Sequence, residues 1–178
     1  MHNPYLIGPT IYLRPIERTD APTFAPWLND PEVARFLVAR RPINLDAEEA
    51  YIRGITDSDT DLVLGIVVRE SDMLIGATGL HQIDHRNRHA GFGITLGDKS
   101  VWGHGYGTEA MRLIVRHAFE TLNLHRVWLH VYEYNTRGIR TYEKVGFQHE
   151  GRLRQDNFRE GRYWDTLVMA ILREEWKG

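Results

Sequence analysis

Trp102-Gly103-His104-Gly105-Tyr106-Gly107-Thr108-Glu109 joins a β-rich stretch to an amphipathic helix, and the reading of the whole chain turns on it. Glycine recurs at 103, 105 and 107, which lets the backbone approach a ligand closely and take φ values that other residues avoid. The unpaired N–H groups of the helix start, with the helix dipole behind them, make an anion site, and a diphosphate suits it. The plain structural alternative is a tight strand-to-helix turn. A nucleoside-triphosphate P-loop is excluded because no Lys follows Gly105 or Gly107. Gly105, Gly107 and Ala110 formally satisfy G-x-G-x-x-A. A dinucleotide fold, however, carries that pattern in its first βαβ unit, with an acidic residue about 20 positions on, ending the next strand. Here the loop follows several strands, and the strand beginning at Arg126 runs into Asn135, so the dinucleotide reading is rejected.

Outward from the loop, Thr108 to Leu122 has helical periodicity. Met111, Ile114, Val115, Ala118 and Leu122 share one face, with Glu109, Arg112, Arg116 and Glu120 on the other. His117 falls on the polar face and is expected at the surface. Upstream, 62–69, 73–80 and 91–96 read as strands of an antiparallel meander, with a turn at Glu70-Ser71-Asp72 and a polar loop from Asp84 to Arg88. Downstream come a buried strand at 126–131, a helix at 136–145 ended by Gly146, and strands at 147–154 and 163–172. Before the meander, 10–14 suits a strand. Asp20-Ala21-Pro22 and Asp30-Pro31-Glu32 look like helix starts, and Asp46 with Glu49 looks like a capping box for a helix through Ile52. This order predicts one mixed αβ domain over residues 1–178.

Composition sets the outer limits. The chain has 178 residues, 42% of them hydrophobic, with 24 acidic side chains against 22 Lys and Arg and a net charge of −2. That is about one domain's worth of core. The absence of cysteine removes disulfides, zinc ribbons and thiol nucleophiles, and is compatible with a cytoplasmic location. No apolar run approaches the roughly 18 residues of a membrane span, and the near-balanced charge gives no reason to expect nucleic acid or membrane as a partner.

The second constellation is Asn135 followed by Tyr142-Glu143-Lys144-Val145-Gly146-Phe147. Together the two segments resemble the GNAT superfamily of acyl-CoA-dependent N-acetyltransferases, and within it the ribosomal-protein alanine N-acetyltransferase (RimJ/RimL-like) branch and its polyamine-acetylating relatives. Leu13-Arg14-Pro15 near the start and Gly161, Tyr163 and Asp165 near the end match that branch too, so the resemblance spans nearly the whole chain in order. It implies a mostly antiparallel sheet with splayed middle strands and flanking helices, acetyl-CoA as co-substrate with no metal, an amine acceptor and a homodimer. Trp102, Gly103, His104, Gly105, Tyr106, Gly107 and Thr108 would hold the coenzyme A pyrophosphate. Ile94 to Leu96 and Asn135 would meet the pantetheine arm, and Asn135 is equally readable as the N-cap of the helix after it. Two positions depart from the family: Trp102 replaces the usual Gln or Arg, and the strand position that often carries a general-base Glu falls on Gly91.

Acetyl transfer to an amine needs a bound carrier, a neutral amine and a proton for the departing thiolate. Tyr142 is our choice of acid, since a phenol near pKa ~10 stays protonated at neutral pH; as a residue it could also be a plain core aromatic. The base has several candidates: His81, Asp84, His89, Glu133, Asp156, or water. Glu133 and Asp156 are placed in the catalytic set. His81, His85 and His89 recur every four residues, but the segment reads as strand and loop, against a helical metal site. Asp57 to Asp61 is an acidic run that could draw a cationic amine and otherwise reads as a solvated loop. Trp27, Phe36, Tyr51, Phe158 and Tyr163 are candidate acceptor-pocket walls. The branch resemblance favours a protein or peptide N-terminal amine, with a polyamine or other small amine as the alternative. A module of the same fold that binds acyl-CoA without catalysis remains a third reading.

Overall fold

The structure is a computed structural model that describes residues 1–38 and 41–178. Among these, eight strands form one sheet in the order β1-β2-β3-β4-β5-β6-β8-β7. They are β1 (Leu6–Ile7), β2 (Ile11–Pro15), β3 (Leu62–Val68), β4 (Leu74–Asp84), β5 (His89–Leu96), β6 (Arg126–Tyr132), β7 (Gln148–Arg159) and β8 (Arg162–Leu172). The helices are α1 (Ala21–Asn29), α2 (Pro31–Ala34), α3 (Leu45–Thr56), α4 (Tyr106–Glu120) and α5 (Thr136–Val145). The expected mixed αβ architecture, mostly antiparallel with helices on its flanks, is what forms.

Alternation along the strands divides the core. Phe92, Ile94 and Leu96 of β5 pack with Met111 and Ile114 of α4 and with Tyr142 of α5. On the opposite face a smaller cluster joins Ile16, Phe24 of α1 and Ile52 of α3 to Val63 and Ala77. A buried pair braces the start of that cluster: Arg14 reaches both carboxylate oxygens of Asp20 at 2.8 Å.

The sheet opens between β5 and β6. These strands run parallel and pair only at His89↔Arg126, Ala90↔Val127 and Gly91↔Trp128. Beyond Gly91, β5 stays with β4 as far as Gly76↔Leu96, while β6 follows β8 as far as Tyr132↔Thr166. The result is a fork whose mouth faces the glycine loop.

Several expectations need correction. Asp46 does not cap α3; Asn44 does, accepting from the Ala47 N–H at 2.9 Å, and Asp46 sits inside the first turn. Asp30 caps α2 as expected, whereas Asp20 spends its carboxylate on Arg14 and the Glu17 N–H and makes no side-chain cap. His117 is only 5% exposed, because the N-terminal segment folds over that side of α4 and Tyr5 meets its ring edge-on at 5.3 Å. Burial therefore pushes its pKa down. Glu109, also assigned to a solvent face, accepts from the Thr10 and Ile11 N–H groups at 2.9 and 3.1 Å and anchors β2 to the first turn of α4. β1 was not foreseen, and β7 runs on to Arg159 through a register shift between Leu153 and Asn157.

Candidate active site

A cavity of about 440 Å³ lies in the fork, the size of a small-molecule site. One wall is the glycine loop. Gly103 and Gly105 both have φ +89, the left-handed region that favours glycine, and a Cβ at either would point into open space. Gly105 is the N-cap of α4 and carries no side chain to satisfy the helix start. Among the described residues, no acceptor engages the backbone N–H of Gly103, Gly105, Tyr106, Gly107 or Thr108; the first amides to find carbonyls there are His104, on Val101, and Glu109, on Gly105. Five amides without a protein acceptor at the positive end of a 15-residue helix suit an anion.

Cations supply the rest of the field. Arg137, Arg140 and Lys144 of α5 all line the cavity, and no carboxylate among the described residues pairs with any of them. The Arg137 guanidinium stacks over the Trp102 ring at 4.2 Å. The Trp102 indole N–H in turn donates to the Leu96 carbonyl at 3.0 Å, tying the loop to the free edge of β5. Sequence reading missed the three cations, although their i, i+3, i+7 spacing puts them on one helical face.

The opposite wall is β5 and the start of α5. Ile94, Thr95 and Leu96 line the cavity where β5 has lost its β6 partner. Asn135 lines it too while capping α5, its side-chain oxygen accepting from the Gly138 N–H at 3.0 Å, so the cap and the cavity position coexist. Tyr142 is buried on the cavity wall with Phe92 and Phe147 edge-on at 6.4 and 6.1 Å. Desolvation among these rings pushes its hydroxyl pKa up to about 12, so it keeps its proton.

The remaining candidates fall elsewhere. His104 is exposed, stacked on Tyr106 at 6.0 Å, and does not line the cavity. Glu133 accepts from the Asp165 N–H at 2.9 Å and from Arg152 at 3.1 Å, bracing the end of β6 against β8. Asp156 is exposed on β7 and accepts from the Thr166 hydroxyl at 2.8 Å. Neither lines the cavity. Of the acceptor-wall candidates, Phe36 lines it, with Val33 and Leu37 beside it. Trp27 instead packs over Gly97, and Tyr51, Phe158 and Tyr163 are exposed. Among the described residues no helix is long and apolar enough to cross a membrane, and no three His, Cys, Asp or Glu side chains gather as metal ligands do.

Comparison with known proteins adds the following. The sequence model of the family described as acetyltransferase (GNAT) domain matches residues 10–148. An uncharacterized N-acetyltransferase, p20, of Bacillus licheniformis is 31% identical over 93% of this chain and 94% of its own length. A spermidine N(1)-acetyltransferase of Vibrio cholerae is 31% identical over 74% of each chain. The crystal structure of spermidine N-acetyltransferase from Vibrio cholerae in complex with CoA and spermine superposes with a TM-score of 0.87 at 26% identity, covering 93% of this chain and 97% of that one.

Proposed function

The chain belongs to the GNAT acetyltransferases and is an acetyl-CoA-dependent N-acetyltransferase, and from that premise we propose that its acceptor is a small primary amine of the polyamine class. The observation that carries the chemistry is the fork itself, where five N–H groups and three cations that have no acceptor or carboxylate partner among the described residues share one cavity with a protonated Tyr142. The loop amides of residues 103–108 grip the pyrophosphate. Arg137, Arg140 and Lys144 offset the remaining phosphate charge. The free edge of β5 from Ile94 to Leu96, with Asn135, guides the pantetheine arm toward Tyr142. Holding the thioester there converts an encounter into an oriented reaction. Tyr142 then donates its proton to the leaving thiolate. The absence of cysteine excludes an enzyme-bound thioester, and direct transfer to the amine in a ternary complex is the simpler of the remaining routes, the other passing through a non-thiol side chain.

The polyamine class is supported by the spermidine acetyltransferases among the relatives and structural neighbours. A second acceptor, a peptide N-terminal amine, is favoured by one observation: no carboxylate lines the described part of the cavity, where a polycation would want one. Thiol release from acetyl-CoA, measured with spermidine, an alanine-terminated peptide and simple monoamines, decides between them. Saturable release with spermidine at the highest kcat/KM supports the proposal. Peptide preference moves the acceptor to the second reading, and tight acetyl-CoA binding with no release for any amine makes the chain an acyl-CoA-binding module.

A further inference from the structure

The face of the sheet opposite α4 carries its own feature at the fork. His81 stands on β4 directly across from Gly91, the last β5 residue that pairs with β6. Its imidazole lies over Gly93, where an added Cβ would come within 3.1 Å of Nε2 and 3.3 Å of Cδ2. Gly91 is covered in the same way by the Trp128 indole, 3.1 Å from where a Cβ would stand. Phe92, between the two glycines, points to the other face and meets Tyr142. One short piece of β5 thus has Tyr142 on one side and His81 on the other, at the point where the sheet opens.

The imidazole is held in one orientation. Nδ1 lies 3.1 Å from Oδ1 of Asp61. Asp61 itself accepts from the Ser58 hydroxyl at 2.7 Å and the Gln82 N–H at 3.4 Å. A proton on Nδ1 facing a carboxylate leaves Nε2 with its lone pair. The backbone is shaped to the same end. β4 bulges immediately after His81, its register passing from His81↔Gly91 to Asp84↔His89, and Gln82 takes φ +51. The Ile83 N–H donates to the Thr60 carbonyl at 2.8 Å, which fastens the bulge to the loop that supplies Asp61. Bulges of this kind re-aim side chains beside active sites. Gly91, where the family resemblance calls for a carboxylate, offers no base, and an imidazole stands opposite it.

We propose that His81, oriented by Asp61, accepts the proton of the acceptor ammonium from the face of the fork opposite Tyr142. The assignment rests on the acetyltransferase reading above. One N–H proton of the ammonium passes to Nε2, and the freed lone pair forms the C–N bond at the thioester carbon. The C–S bond breaks and the thiolate takes the Tyr142 proton. The second N–H proton, shed as the amide forms, restores the tyrosine through solvent, and the imidazolium returns its proton to bulk water. Asp61 is the charged group paired with His81; Tyr51 of α3 also feels Asp61, His130 packs on the other side of Trp128, and the Asp84–His89 pair lies past the bulge.

The test uses the full chain with His81→Gln and Asp61→Asn, and the amine of the panel that turns over fastest. His81→Gln should lower kcat/KM about 100-fold, the low end for losing a general base, and abolish the acidic limb of its pH profile. The defect should shrink with a less basic analogue of the same amine, while acetyl-CoA affinity by calorimetry stays at the wild-type value. Asp61→Asn, which removes the carboxylate that orients the ring, should lower kcat for the amine about tenfold while acetyl-CoA affinity by calorimetry stays at the wild-type value. A wild-type rate and profile in His81→Gln overturns the assignment while leaving the acetyltransferase reading intact. If His81→Gln does not fold, a wild-type kcat in Asp61→Asn overturns it equally. A wild-type protein that releases no thiol with any amine overturns both.

Discussion

On the α4 side of the fork, the unpaired donors, the cations and Tyr142 come from two short continuous segments, 102–108 and 135–144, whereas on the opposite face His81, Asp61, Gly93 and Trp128 come from four separated places in the chain. The first wall is unpaired: free amides, free cations and a hydroxyl that burial keeps protonated. Around the second, the charges already have partners, with Asp61 on His81 and Glu133 on Arg152. The difference suits two kinds of guest. A carrier with fixed phosphates is held by prepaid donors at a helix start, while an amine that must lose a proton needs an oriented proton acceptor and little else.

Four experiments strain this division. The largest effect is expected from Tyr142→Phe, which should lower kcat about 100-fold or more while leaving acetyl-CoA affinity unchanged. Equal losses in both would mean that the tyrosine shapes the carrier wall instead. The same variant should change alkaline stability. The hydroxyl stays neutral in the fold up to about 12 but ionises near ~10 in the unfolded chain, so its favourable contribution is complete below pH ~10 and disappears as pH rises through 12. Denaturant titrations at pH 8 and 12 should show wild type losing about 2 kcal/mol that Tyr142→Phe does not lose. Next, Arg137→Ala combined with Arg140→Ala should weaken acetyl-CoA binding about tenfold, or ~1.4 kcal/mol, with less effect at high salt and no change in acceptor preference. Smallest, Gly93→Ala should displace the His81 ring by a few tenths of an ångström and cut kcat/KM for the amine about threefold, with calorimetric acetyl-CoA affinity intact. Should this variant lose carrier affinity and keep its amine kinetics, the two walls are not separable.

The same division explains what could be read from the residues alone. The glycine loop, the N-cap at Asn135 and the place of Tyr142 are local patterns, since helix starts and helical faces are written within a few residues. The cationic face of α5 is equally local, but three cations at helical spacing are indistinguishable from an ordinary solvated face until the fold sets them against the glycine loop. His117 and Glu109 were misplaced for a different reason: a helix's polar face predicts solvent only until a distant segment, here residues 5–11, covers it. The amine-side groups depend on strand register, which is set by pairing between distant segments and by a bulge that no short motif announces. Glu133 and Asp156 looked suitable by residue type and strand position. Their hydrogen bonds across to β8 are tertiary facts.

The three-residue parallel seam between β5 and β6 has a consequence for how the chain breathes. β1 to β5 pair antiparallel in chain order on one side, and β6, β8 and β7 pair antiparallel on the other. The three rungs of the seam and the α4 crossover join the two halves into one sheet. The seam's three parallel rungs are fewer than those of the antiparallel ladders on either side, so the sheet opens most easily there. Native-state hydrogen exchange should find the amides of residues 89–91 and 126–128 opening at lower free energy than those at the centre of either half. Active-site fork and weakest cooperative boundary are then the same place, and a carrier bridging the two arms acts as the missing rungs of the ladder.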